Sequence, residues 1–367
     1  LISMKEELVK KFLQKGKLLS PEVFEKLLSN SLDESMIVNG DIVISSRNIR
    51  HKPQVDVKIL KNITHKKTEA TTEDFARFYR SRYEKMVKIL TGKLQKNFIS
   101  LNKIDSFRNE IYVVGMVKDI QEKENKLVLV VEDLTGSAKI VFEKGEAEVD
   151  LDDTVAIKCV SAGSILYGKQ IIYPDVPLRQ PKTGTGSACF ISDLNLDEAA
   201  KQDAEKFFRW FENQPINILF VAGDIGDKEA FERYVSMHCI QKQVFVIPGE
   251  KDSTDEYPHT PLKFDAENII SLSNPAIIEI NGIIVLLIHQ FGISMLKKRY
   301  LGKTRQFFDE DPLVLENVPD IVCFGHANDS QVINYKSITL VTSGSLLADF
   351  RPVIINLETR EAQTITI

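Results

Sequence analysis

The spacing of apolar residues changes several times along the 367-residue chain, and each change predicts a different element. Near the N-terminus, Leu8, Val9, Phe12 and Leu13 recur at helical spacing in MKEELVKKFLQKG, with Gly16 as a stop. Ser20-Pro21-Glu22-Val23 reads as a second helix start, serine at the N-cap and proline at N1, continuing through VFEKLLSNSL. The two helices predict a small helical module over 1–39. Residues 40–70 mix polar and basic side chains with isolated β-prone pieces, IVIS and VKIL, and read as an extended basic linker. From Thr71 to Leu90, Phe75, Phe78, Tyr79, Tyr83, Met86, Val87 and Leu90 follow the i, i+3, i+4 rule, with Thr72 as the expected N-cap. This predicts a long amphipathic helix within 71–108, its aromatic stripe turned to a core or a partner.

From about Glu110 the period becomes two. IYVVGMVKDI, KLVLVVED, GSAKIVFE, TVAIKCVSA and QIIYPDV are five β-runs separated by turn residues. Five short strands around the LVVEDLTGSAKIVF segment look like an OB-fold, a small Greek-key barrel, over 109–180. It offers Tyr112, Phe142, Tyr167 and Tyr173, but its charge over Leu101–Thr185, 11 basic against 14 acidic side chains, favours a scaffolding barrel over a strand-gripping one. QPKTGTGS supplies a linker at 181–187, and the remaining 188–367 form the largest domain. The strand runs of that domain are apolar throughout, which predicts strands buried on both faces of a layered α/β structure. SLSNPAIIEINGIIV and KSITLVTSGSLLADFRPVIINLE read as hairpin and edge strands. The expected fold class is therefore an α/β multidomain chain: helical module, β-barrel, C-terminal α/β sandwich.

Composition narrows this little: 43% hydrophobic and 27% charged residues are ordinary for a globular protein. No run of about 18 uncharged apolar residues occurs, so a membrane span is not expected. LISMKEELVKKFLQKGK has no apolar stretch before a small-residue cleavage site. The four cysteines, Cys159, Cys189, Cys239 and Cys323, lack CxxC spacing and read as buried small hydrophobes of a reducing, cytoplasmic protein. Charge does change the picture. Residues 1–100 carry 20 basic against 12 acidic side chains, and residues 101–367 carry 27 against 40. An acidic body makes a poor general DNA-coating surface. The densest basic patch of the C-terminal domain is Lys297, Lys298, Arg299, Lys303 and Arg305, a candidate nucleic-acid or acidic-partner contact with a solvated helix face as the default reading.

The C-terminal runs end in polar, metal-competent residues: ACFISDLN (188–195), INILFVAGDIGD (216–227), QVFVIPGEKDS (243–253), IIVLLIHQFG (283–292) and DIVCFGHAND (320–329). Strand ends of a parallel sheet converge on one edge, where ligands sit. The ordered series resembles calcineurin-like metallophosphoesterases, whose pattern is D-x-H, G-D, G-N-H-D, H-G, then G-H-x-H. With the barrel and the DFARFYRSRYEKMVKIL helix, residues 60–367 resemble the small subunit of archaeal family D DNA polymerases, relatives of the B subunits of eukaryotic replicative polymerases.

The resemblance implies a pair of divalent ions, Mn²⁺ or else Zn²⁺ or Fe²⁺, that activate water against a phosphodiester for 3′–5′ exonuclease proofreading. It implies Asp193 as the first aspartate, Asp224 as the bridging one, and His289 and His326 as histidine ligands. Asn195 and Asn328 stand where the family has histidines, Glu250 where it has asparagine, and Lys251 where it has the histidine that assists the leaving group; Asp252 closes that motif. One expected site, Asp193, Asn195, Asp224 and Asn328, is then damaged. The other, Asp224, Glu250, His289 and His326, keeps four donors, so one ion or none is expected. Asp193, Lys251 and Asp252 are the catalytic candidates, with Lys251 expected to tether Glu250 or Asp193. His51, His65, His238 and His259 carry no partner pattern. The implied function is an accessory subunit that docks and stabilises a large catalytic polymerase subunit and meets DNA through that complex, its nuclease weak or absent; the alternative is an active Mn²⁺-dependent exonuclease. A clamp or a primase is a candidate partner for the N-terminal module.

Overall fold

The structure is a computed structural model that describes residues 2–28, 37, 42–45, 55–65, 69, 71–104, 110–143, 145, 149–162, 165–196 and 200–367. The N-terminal module contains α1 (Ile2–Gln14), β1 (Leu18–Leu19), α2 (Pro21–Leu28) and β2 (Val43–Ile44). Gly16, at φ +68°, ends α1, with Lys17 N–H donating to Phe12 O and Gly16 N–H to Leu13 O. Ser20 accepts from Val23 N–H at 3.5 Å, in keeping with the expected cap. The proposed extension of α2 past Leu28 lies outside the described residues.

The segment read as a linker contributes a sheet strand, β3 (Val57–Lys61), which pairs antiparallel with a strand more than 200 residues away, Ile59 opposite Ile278. Only tertiary pairing reveals this, because VKILK is too short to announce a strand by itself. Next, α3 (Thr72–Leu94) starts one residue earlier than expected, since Thr71 is the N-cap. Thr71 Oγ1 accepts from Asp74 N–H, and Asp74 accepts from Thr71 N–H, a reciprocal capping box. Phe78, in the N-terminal half of α3, joins the apolar cluster of the C-terminal domain, whereas Tyr83, Val87 and Leu90 pack on the barrel. The helix is a strap across both.

Five strands close into a barrel: β4 (Glu110–Lys123), β5 (Lys126–Glu132), β6 (Ser137–Glu143), β7 (Thr154–Ala162) and β8 (Ile165–Ile172), ordered β4-β5-β6-β8-β7 with β7 returning to β4. The last strand begins at Ile165, five residues before the expected QIIYPDV run, because alternation of exposed Ile165 and Tyr167 with buried Leu166 continues the ladder. Gly168 is required there: a Cβ would lie 2.2 Å from the Phe142 ring that fills the barrel.

The C-terminal domain comprises β9 (Ser187–Ile191), α4 (Lys201–Glu212), β10 (Ile218–Ala222), α5 (Lys228–His238), β11 (Gln243–Ile247), β12 (Ile269–Ser271), β13 (Ala276–Ile280), β14 (Ile283–Ile288), α6 (Ile293–Lys298), β15 (Ile321–Phe324), β16 (Ser330–Tyr335), β17 (Ile338–Ser343), β18 (Val353–Asn356) and β19 (Ala362–Thr364). They form two six-stranded sheets, β12-β11-β10-β9-β18-β19 and β16-β17-β15-β14-β13-β3. Phe190, Phe220 and Phe245 from the first sheet meet Ile278, Val285 and Val341 from the second in the core between them. Helices α4 and α5 cover the outside of the first sheet through Phe207, Phe208 and Phe231. The layered α/β expectation matches this arrangement. β17 and β18 are interior strands rather than edges, flanked by β16 and β15, and by β9 and β19; the buried ITLVTS run is the physical reason for β17.

Candidate metal centre

Strands β9, β10 and β11 run parallel in one sheet, and β14, β15 and β17 run parallel in the other. Their C-terminal ends deliver Asp193, Asp224, the Gly249–Asp252 turn, His289, His326 and Ser345 to one edge of the sandwich. Backbone bonds tie the loops together: Asp193 N–H donates to Gly223 O at 3.0 Å, Asn195 N–H to Asp224 O at 2.8 Å and Gly325 N–H to His289 O at 3.0 Å. Asp193, Asn195, Asp224 and His326 sit at φ of 51°, 43°, 49° and 55°. Four non-glycine residues held in the left-handed region at one site mark a place where geometry outweighs backbone preference. Gly249 has to be glycine, since a Cβ would lie 2.1 Å from Asp224 Oδ1.

Asp193, Asp224 and His289 place one ligand atom each within 4.8 Å of one another, all three buried. His289 Nδ1 donates to Ala222 O at 2.8 Å, which turns Nε2 towards the carboxylates, 3.4 Å from Asp224 Oδ1 and 4.0 Å from Asp193 Oδ1. That buried Nε2 makes no hydrogen bond. A carbonyl-oriented imidazole with a bare nitrogen facing two carboxylates is a donor set for a divalent cation. Burial pushes the Asp193 carboxyl up. Burial also raises Asp224, but the adjacent His289 imidazole, with the Lys251 backbone N–H and ammonium, brings it down to about 2. Burial lowers His289, yet Asp224 and the Ala222 carbonyl leave it raised overall.

The other side of the pocket is different. Lys251 Nζ donates to Asn195 Oδ1 at 2.7 Å and lies 3.5 Å from Asp224 Oδ2. Asn195 Nδ2 donates back to Asp193 O at 3.0 Å. An ammonium thus lies between Asn195 and the Asp224 carboxylate. It is tethered to Asn195 and Asp224, rather than to the expected Glu250 or Asp193. Glu250, His326 and Asn328 have exposed side chains and stand outside the triad. The His326 ring centroid is 5.8 Å from that of His289, and the His326 backbone N–H donates to both Asp193 oxygens at 3.1 and 3.0 Å. Asp252 accepts from Ile225, Gly226 and Gly249 N–H at 3.0, 3.1 and 2.8 Å, so it knots two loops together. Asn274 was not foreseen. Its Oδ1 holds His289 N–H at 3.1 Å, and SNP in the sequence reads only as a turn.

The basic patch is largely engaged within the chain. Lys298 bonds Asp150 and Asp153 of the barrel at 2.5 and 2.8 Å, and Lys303 lies 3.5 Å from Asp152. Lys297 stacks over Tyr173 at 4.9 Å, and buried Arg299 donates to Leu315 O and Glu316 O at 2.6 and 2.7 Å. Arg305 is exposed. The expected nucleic-acid face is mainly a seam between the barrel and the sandwich, and the acidic Asp150–Asp153 turn is its complement.

No family model matches the chain. It is 26% identical over 368 residues to the DNA polymerase II small subunit of Archaeoglobus fulgidus, covering 79% of this chain and 74% of that one. It is 26% identical over 416 residues to the corresponding protein of Thermoplasma acidophilum, covering 92% and 85%. The chain is a relative of archaeal DNA polymerase II small subunits. Against the Pyrococcus furiosus small subunit, also 26% identical, it spans 62% of that protein's length. Similar solved structures include an archaeal phosphodiesterase, 13% identical with a TM-score of 0.37 over 50% of this chain and 100% of that one. Another is vacuolar protein sorting 29 from Cryptosporidium parvum, 17% identical with a TM-score of 0.31 over 50% and 96%. No helix among the described residues is long and apolar enough to cross a membrane.

Proposed function

We propose that this chain is the accessory subunit of an archaeal family D-type DNA polymerase, an OB-type barrel joined to a calcineurin-like phosphoesterase domain whose two-metal nuclease centre has lost one of its two ion positions. The observation that carries the reading is the Lys251 ammonium, 2.7 Å from Asn195 and 3.5 Å from Asp224. A dication about 4 Å from that ammonium meets roughly 8 kcal/mol of repulsion at an effective dielectric of about 20, and about 2 kcal/mol in water. Lys251 is exposed, so the smaller figure governs. The ammonium alone biases against a second ion, and the replacement of imidazoles by the amides of Asn195 and Asn328 removes the donors that would overcome that bias.

Asp193, Asp224 and His289 would hold one divalent ion, whose contribution is Lewis-acid polarisation of a phosphoryl oxygen. The rest is this chain's own work. Ala222 O and Asn274 Oδ1 fix the His289 ring and backbone, and Lys251 sets a positive charge beside Asp224 and Asn195. The subunit acts by docking and stabilising the large catalytic subunit, and it meets DNA through that complex.

A second reading, an active Mn²⁺-dependent 3′–5′ exonuclease, is favoured by the bare His289 Nε2 facing two carboxylates. A nuclease assay on the purified chain with Mn²⁺ separates the two. The expected result is cleavage no greater than that of Asp224→Ala and His326→Ala controls. Robust cleavage abolished by both substitutions establishes the second reading instead.

A further inference from the structure

The C-terminal end of β17 reaches the metal centre, so the turn between β16 and β17 lies at the opposite edge of the same sheet. There Lys336 and Ser337 of the turn face the extended segment that leads from the barrel into the sandwich. With Leu178, Arg179, Gln180 and Pro181 of that segment they line an open groove of about 510 Å³. Its polar walls are donors with spare capacity. All three hydrogen bonds of Arg179 leave from Nη2, to Val318 O, Pro319 O and Asp320 Oδ1 at 3.0, 3.2 and 2.6 Å. Among the described residues its buried Nε has no partner, and neither has the buried Ser337 Oγ. Lys336 Nζ donates to Asp175 Oδ2 and Val176 O at 2.6 and 2.5 Å, which leaves one of its three N–H bonds uncommitted. Buried polar groups without partners are rare in folded proteins, and two on the wall of one groove point to an acceptor supplied from outside the chain.

Charge makes that acceptor an anion. Lys336 has the carboxylate of Asp175, but Arg179 shares the buried Asp320 with a second guanidinium. Arg360, behind the groove, donates from Nη2 to Asp320 O at 2.6 Å, and its buried Nε is also without a partner. Burial and the nearby Arg179 charge hold Arg360 below its usual pKa, and Asp320 is the carboxylate that opposes them. Glu358 and Glu361 flank Arg360 in the chain, and Lys182 adds an exposed ammonium next to Pro181. Two guanidiniums on one buried carboxylate leave a positive excess at the groove wall.

We propose that this groove binds the phosphate group of a small phosphate ester, with Arg179, Lys336 and Ser337 donating to its oxygens and Leu178 and Pro181 walling its organic part. Charge-assisted bonds from a guanidinium and an ammonium are the strong ones for such a group. Three donor side chains on two chain segments suit the several oxygens of a phosphate better than the two of a carboxylate. Leu178, 77% exposed, is a large apolar side chain left on the rim, which a bare ion would not use. A nucleic-acid strand is the poorer fit, because residues 101–367 carry 27 basic against 40 acidic side chains and would repel the flanking phosphates. The inference stands independently of the metal centre and of the nuclease question.

The test is isothermal titration calorimetry on the full chain in EDTA, which keeps divalent ions out of the metal centre. Phenyl phosphate is compared with phenylacetate and with a single-stranded oligonucleotide. Phenyl phosphate is expected to bind at least about tenfold more tightly than phenylacetate. Leu178→Glu sets a carboxylate on the rim and is expected to weaken phenyl phosphate at least about tenfold. Ser337→Ala removes one donor and is expected to weaken it at least about threefold. Leu178 is largely exposed and Ser337 Oγ has no partner to lose, so both variants should keep the wild-type unfolding midpoint. That separates lost binding from lost folding. Equal affinity for the two small anions overturns the proposal, as does the absence of phenyl phosphate binding, or binding that either variant leaves intact. Binding of the oligonucleotide but not of phenyl phosphate overturns it as well, by assigning the groove to a strand.

Discussion

A variant carrying Asn195→His, Lys251→His and Asn328→His together is expected to bind two Mn²⁺ ions per chain and to gain Mn²⁺-dependent phosphodiester hydrolysis. The gain should be on the order of 10²-fold, the lower range for a positioned acid–base group. The scaffold for it is present. Asp193, Asn195 and Asp224 already hold their left-handed backbone conformations, and Gly249 already leaves room for the Asp224 carboxylate. The substitutions therefore change donors without asking the loops to refold. Lys251→Met is the informative control, because it removes the ammonium without supplying a ligand and should leave the second ion unbound. Metal content by mass spectrometry and cleavage of a labelled single strand read the two effects separately. A triple variant that folds and still binds one ion or none would show that the loops, and not the side chains, disable the centre.

Replacing Arg82 with alanine is expected to give the largest loss of stability of any single change at the strap, about 3–5 kcal/mol, the range for breaking one side of a buried ion pair. Arg82 Nε meets the fully buried Asp311 at 2.6 Å, and its guanidinium lies 4.4 Å from the Tyr300 ring centroid. Tyr300 OH donates to the same carboxylate at 2.9 Å, and Asp311 N–H donates to Ser81 Oγ at 2.8 Å. The cluster locks α3 onto the C-terminal domain at the middle of a helix whose other half packs on the barrel. Loss of Arg82 leaves a buried, uncompensated carboxylate. Denaturant unfolding followed by far-UV circular dichroism is expected to show a lower midpoint for Arg82→Ala than for Arg80→Ala, which removes an exposed arginine from the same helix. Equal midpoints would mean that the strap is held by its apolar contacts alone.

The ends of the strands were legible because the chemistry there is written in short, local words. FISDLN, VAGDIG and LLIHQF each combine a buried run with a polar terminus, and parallel pairing brings such termini together. The five-stranded barrel was legible from its alternation, apart from the start of β8. What stayed hidden depends on partners far away in sequence. Lys251 meets Asn195 across 56 residues, and Lys298 meets Asp150 across 148. No pattern within a KKR or GEKD motif distinguishes a solvated cation from one already committed. Asp252 matched the motif by type, yet its carboxylate is used by three backbone N–H groups that sequence spacing does not reveal. The strand at Val57–Lys61 exists because Ala276–Ile280 offers it an edge, a fact about β13 rather than about VKILK.

The most direct measurement is anomalous scattering at the manganese edge from crystals of the wild-type chain soaked in Mn²⁺. The account predicts at most one peak, among Asp193, Asp224 and His289, with Lys251 still on Asn195. Two well-ordered peaks, the second beside Asn195 and Asn328 with Lys251 displaced, would contradict it.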